Sequence, residues 1–129
     1  MENIAINARK KVTMDKYLSQ IRIVTPNNIS KLISTTARSC VSSVELVNNF
    51  LLVTGKVSAT AIYLSDENKI ESAETSVDFV EKQKVNFVLS ELSCNDELEI
   101  DSVSFSTSDV SLSVAHKTEV SGIFDASPT

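Results

Sequence analysis

From residue 50 to residue 64 the chain alternates apolar and polar side chains, and this run constrains the fold more than any other feature. Leu51, Val53, Gly55, Val57, Ala59, Ala61 and Tyr63 share one parity, while Thr54, Lys56, Ser58 and Thr60 hold the other, which is apolar only at its ends. An extended backbone sends successive side chains to opposite faces, so the run makes one dry face and one wet face. A second run, 110–124, places Val110, Leu112, Val114, His116, Thr118, Val120, Gly122 and Phe124 on one side. Ser111, Ser113, Lys117, Glu119 and Ser121 fall on the other. Both read as amphipathic strands of an antiparallel sheet.

Shorter runs lie between them. Ala73, Thr75, Val77 and Phe79 are in phase over 70–79, and Val85, Phe87 and Leu89 over 84–89. Over 98–105 the phase shifts between Ile100 and Val103, which predicts a bulge or bend. Asn48-Asn49 suits the positive φ angles of a tight hairpin, and Ser65-Asp66-Glu67-Asn68 closes the next one. Residues 33–44 read as a strand pairing across Asn48-Asn49. Asn28 followed by Ile29, Leu32, Ile33 and Thr36 also fits a helix start, so a short helical turn leading into that strand is expected. Thr13, Met14, Tyr17, Leu18 and Ile21 fit either element. With thirty Ser and Thr residues and many valines, the expected fold is mainly β: an antiparallel β-sandwich of about six to eight strands, with at most one short helix near the amino terminus.

The chain has 129 residues, enough for one core and too few for two. Pro26-Asn27-Asn28 is the one strong break, dividing a basic amino-terminal arm, 1–25, from a sandwich domain, 26–129. Charge follows a similar division. Residues 1–38 carry seven basic side chains against two acids, a balance of +5, whereas 39–129 carry five against fifteen, a balance of −10. Such a molecule either attracts copies of itself end to end or simply has a basic tail. Within the arm, Asn3-Ile4-Ala5-Ile6-Asn7 puts Ile4 and Ile6 on one face of a short strand suited to docking on an open sheet edge. Ile4 and Ile6, with Arg9, Lys10 and Lys11, are the candidate assembly contacts.

Signals for chemistry are thin, and no catalytic, cofactor-binding or metal residues are assigned. His116 is the sole histidine and sits mid-strand, where a packed imidazole is the ordinary explanation. Gly55 and Gly122 are the only glycines, which excludes a glycine-rich phosphate loop; they read as points of close approach by another backbone or a large side chain. Two acidic clusters, Asn95, Asp96, Glu97, Glu99 and Asp101, and Asp66, Glu67 and Asn68, offer oxygen ligands. Neither matches a calcium loop, and each reads as a solvated turn. Cys40 and Cys94 suit neither a metal knuckle nor a disulfide framework; two reduced, half-buried thiols are expected, with a bridge between them or between subunits as the alternative in an oxidising compartment. The basic arm has only Tyr17 near it, so no nucleic-acid partner is expected. No apolar run is long enough to span a membrane, and the start lacks a secretory signal, which gives synthesis in the cytoplasm and no membrane partner.

The run from Phe50 to Ser65, followed by Asp66-Glu67-Asn68-Lys69-Ile70-Glu71-Ser72 and ending in Val77-Asp78-Phe79, resembles the SPOCS domain of SipL and related spore-coat proteins of anaerobic spore-formers. Gly55, Tyr63 and Phe79 fit its pattern, while Asp78 stands where the family has proline. The resemblance covers about residues 29–124 and implies a non-catalytic domain used in protein contacts, placed in the spore coat or on the spore surface. The expectation is then a homo-oligomer or polymer, joined through sheet edges or the amino-terminal arm and in contact with other spore-coat proteins. The alternative is a monomeric adaptor for another coat or morphogenetic protein.

Overall fold

The alternating runs become long strands. A computed structural model describes residues 9–14 and 17–125, which form seven strands: β1 (Arg9–Thr13), β2 (Tyr17–Val24), β3 (Ile29–Val47), β4 (Phe50–Ser65), β5 (Ile70–Lys84), β6 (Val88–Phe105) and β7 (Asp109–Asp125). All ladders are antiparallel. Sheet B is the meander β3–β4–β5. Sheet A is centred on β7, which pairs with β6 along one edge and with β1 and then β2 along the other. The described residues contain no helix, so none is available to cross a membrane.

The inner faces are the two predicted ones. Leu51, Val53, Val57, Ala59, Ala61 and Tyr63 from β4 are fully buried, as are Val110, Leu112, Val114, His116, Thr118 and Val120 from β7. Ile21, Ile23, Ile29, Phe79, Val85 and Leu89 complete the dry layer. Each large aliphatic side chain buried this way contributes about 1.5–3 kcal/mol, so the two central strands supply much of the drive to fold.

The hairpins follow their residue types. Asn48 and Asn49 have φ of 49° and 69°, the left-handed pair that a two-residue turn requires. In the next turn Asn68 has φ of 60°, and the Ser65 hydroxyl accepts from the amides of Glu67 and Lys69. Pro26 and its two asparagines mark where the chain leaves sheet A for sheet B. The switch is tied to the other sheet's last turn, because the Thr25 amide donates to the Ser108 carbonyl and the Ile29 amide to the Thr107 carbonyl.

Three expectations require correction. The segment offered as a helical turn, 28–36, is strand: Ile29 starts β3, whose serines, threonines and β-branched residues pair with β4 over its whole length. The run 84–89 is no single strand, since it holds the end of β5, the connection at 85–87 and the start of β6. The cluster 95–101 is not a turn but the middle of β6. The bulge expected after Ile100 is present, as a register shift between Ile100 and Ser102.

Both glycines sit where something comes close. A Cβ on Gly55 would stand 2.4 Å from the Cys40 carbonyl oxygen and 2.9 Å from two Phe79 ring carbons. Gly55 and Phe79 are partners in the β4–β5 ladder, so the ring lies over the bare backbone. On Gly122 a Cβ would stand 2.8 Å from the Ser90 carbonyl oxygen, beside the β6 bulge that holds Glu91 at φ of 49°. The strands define two poles: one carries the connections at 25–28, 66–69 and 106–108, the other those at 48–49 and 85–87 together with the start of β1.

Candidate functional site

Alternation carries more than apolar residues inward. Asp96 shares the parity of Cys94, Leu98 and Ile100 on β6, and Glu81 that of Val77 and Phe79 on β5. Both carboxylates therefore enter the space between the sheets and meet His116 and Thr118 from β7. The Asp96 side chain is 3% exposed and His116 is completely buried. His116 Nδ1 lies 3.2 Å from Asp96 Oδ2, and the Thr118 hydroxyl donates to Asp96 Oδ1 at 3.1 Å. His116 Nε2 lies 3.4 Å from the Ser19 hydroxyl of β2. The Phe79 ring packs on the imidazole with centroids 4.7 Å apart, linking this cluster to Gly55.

Environment drives the two carboxyls apart. Burial pushes the Asp96 carboxyl up, but hydrogen bonds from His116, Ser39 and Thr118 outweigh it and hold Asp96 below the ordinary carboxylate range. Burial also pushes Glu81 up, and there it wins, with the Asp96 charge adding to it against Thr118 and His116. The Thr118 hydroxyl lies close enough to Glu81 to favour its charge, yet its proton is directed to Asp96, and neither Glu81 oxygen has a partner of hydrogen-bond geometry. Nearby Cys94 is pushed up to about 11 by burial, with Asp96 and Glu81 adding to the shift, so its thiol is unreactive at neutral pH.

Ser19, His116 and Asp96 stand in the order of a nucleophile, base and orienting acid. The placement argues for a structural use. Ser19 lies mid-strand in β2, 8% exposed. A surface hollow of about 830 Å³ is lined by His116 with Met14, Leu98, Ala115 and neighbouring polar residues, but not by Ser19. The imidazole has no exposed surface, so a substrate in that hollow would meet neither it nor the Ser19 hydroxyl. The cluster instead cross-links β2, β6 and β7 through buried hydrogen bonds, which fixes the register of sheet A.

On the surface, Arg9, Lys10 and Lys11 fall on β1, in register with Ile123, Gly122 and Ser121 of β7. Lys10 Nζ sits 4.6 Å from the Phe87 ring centroid and 5.4 Å from that of Phe124, and Lys11 lies 4.0 Å from Glu119. Ile4 and Ile6 lie outside the described residues. Asn95, Glu97, Glu99 and Asp101 are exposed along β6. Among the described residues no group of three His, Cys, Asp or Glu side chains is arranged to hold a metal ion. Both cysteines are free thiols; Cys94 is half-buried as expected, whereas Cys40 is exposed.

Exposed apolar side chains are unevenly spread. Among the described residues, Val24, Ile33, Ile62, Ile70, Val103 and Phe105 lie toward the pole of the 25–28 connection, and Val47, Val80 and Val88 toward the other. Toward the other pole lie Lys10 over its aromatic pair, Lys84, and Lys82, whose Nζ is 4.3 Å from the Phe50 ring centroid. Residues 28–114 match the protein family described as SipL, SPOCS domain. No curated protein sequence matches the chain, and no solved structure does.

Proposed function

The chain belongs to the SipL SPOCS-domain family, a non-enzymatic domain type with a protein-interaction role in sporulation, and from that premise we propose that it is a self-associating structural subunit of the spore coat or of a spore surface appendage. Its joints are made by sheet edges and by the amino-terminal segment that carries Ile4, Ile6, Arg9, Lys10 and Lys11. One observation carries the reading: among the described residues, six of the nine exposed large apolar side chains gather toward one pole while lysines over aromatic rings mark the other, and a surface weighted in this way suits contact between copies.

Light scattering across a concentration series tests it. A subunit that builds a polymer gains mass with concentration, and negative-stain images of the concentrated sample show extended assemblies. A mass fixed at one chain, together with tight binding to a different coat protein, would replace self-assembly with the adaptor role.

A further inference from the structure

The end of β6 has a neighbour on one side and only partial cover on its inner face. Beyond the bulge, Ser102, Val103, Ser104 and Phe105 remain in register with Ser113, Leu112, Ser111 and Val110 of β7. Directly opposite residues in a ladder point to the same face. Leu112 and Val110 are completely buried there, yet Val103 is 41% and Phe105 47% exposed, and every residue from 101 to 108 is exposed. Sheet B covers this corner only in part. On β3, which runs beside β6 but belongs to the other sheet, Ile33 is extruded in the bulge between Leu32 and Ser34 and is 48% exposed. Among the described residues, the edge of β6 away from β7 carries no ladder. An apolar inner face beside an unpaired backbone edge is the requirement for strand addition.

We propose that this corner receives residues 3–7 of a second copy, laid along β6 as an added strand with Ile4 and Ile6 packed on Val103 and Phe105. The inference rests on the self-association reading above and specifies its joint. Three observations select the occupant. Asn3-Ile4-Ala5-Ile6-Asn7 has the alternation that a half-buried edge strand needs. A chain's own segment is out of reach, because Arg9 is fixed opposite Ile123 at one pole while Phe105 is opposite Val110 at the other. Thirteen residues of β7 span about 43 Å, whereas the five steps from Arg9 back to Ile4 cover at most about 17 Å. Charge also agrees, since Arg9, Lys10 and Lys11 follow the segment while Glu97, Glu99 and Asp101 line the exposed side of β6. A joint between opposite poles is head-to-tail, and a joint of that kind propagates as a filament unless its rotation closes a ring.

The test uses full-length chains. Phe105→Asp and Val103→Asp each place a charge in the corner, and Ile4→Asp/Ile6→Asp does the same in the segment; circular dichroism confirms that each is folded. At concentrations where the parent chain scatters as polymer, every variant is expected to stay at the mass of one chain. An equimolar mixture of Phe105→Asp with Ile4→Asp/Ile6→Asp leaves one intact joint, so mass should rise about twofold and stop. Folded corner variants that polymerise like the parent would overturn the joint while leaving self-association standing. A parent chain that is monomeric at every concentration would remove both.

Discussion

The central strands β4 and β7 and the outer strands β3 and β6 come from similar sequences and end in different environments. In β4 and β7 the inward parity is sealed, and a departure from it meets a packed neighbour. In β3 and β6 the inward parity is only half covered, and the cover of β6 is thinnest after Ile100. Alternation therefore specifies which face a side chain takes, and the position of the strand within its sheet decides whether that face is dry. Stability resides in the first pair of strands, and half-open surface in the second.

The sharpest test of this division is Gly55→Val. Its Cβ would collide with a backbone carbonyl at 2.4 Å and with the Phe79 ring, so a loss of about 3 kcal/mol or more is expected, read as the free energy of chemical unfolding. A loss under about 1 kcal/mol would show that the centre yields as easily as the edge.

Next comes Asp96→Ala, which removes the acceptor for His116 and Thr118 and should cost about 3 kcal/mol at neutral pH. The sign with pH is fixed. The folded-state pKa of Asp96 lies below its unfolded value, so its contribution is complete above the unfolded value and disappears as acid brings the pH down through the folded one. The parent's unfolding free energy should fall over that acid range, and the Asp96→Ala profile should be flatter there.

Glu81 has the opposite sign. Its folded pKa is raised, so stability declines as pH rises from the unfolded value through the folded one. Glu81→Gln removes that decline and should raise stability at neutral pH by about 1 kcal/mol, the scale of desolvating an unmatched polar group. Thermal melts of the two proteins from pH 4 to pH 8 check it. The smallest effect belongs to the edge: Val103→Thr should change unfolding free energy by under about 0.5 kcal/mol, because the side chain is already 41% exposed.

The sandwich was legible where residue type and environment agreed. Leu51 through Tyr63 and Val110 through Phe124 gave both long inner faces, and Asn48-Asn49 gave its hairpin; the break at Pro26 was read as the end of an arm, whereas β1 and β2 before it pair with β7 in sheet A. Helix and strand were confused over 28–36, where Ile29, Leu32, Ile33 and Thr36 also recur at helical spacing. The long β4 partner decides that contest, and pairing across a ladder is not visible in a local window. The buried cluster escaped notice because acids near one another read as solvated. Its signal was present all the same: Asp96 stands in phase with Cys94, Leu98 and Ile100, and Glu81 directly follows Val77 and Phe79 in phase. The half-open corner at Val103 and Phe105 had no comparable sign, since it depends on how far the facing sheet covers it.

The position of β7 bears on how the molecule is made. β3, β4 and β5 are joined by short connections and find each other as soon as they leave the ribosome, whereas β1, β2 and β6 all depend on the last strand to be synthesised. Until β7 emerges, these three strands have nothing to bind but one another or a neighbouring polypeptide. Pairing residues roughly a hundred positions apart, as Arg9 with Ile123, also makes docking of that strand the slow event in folding.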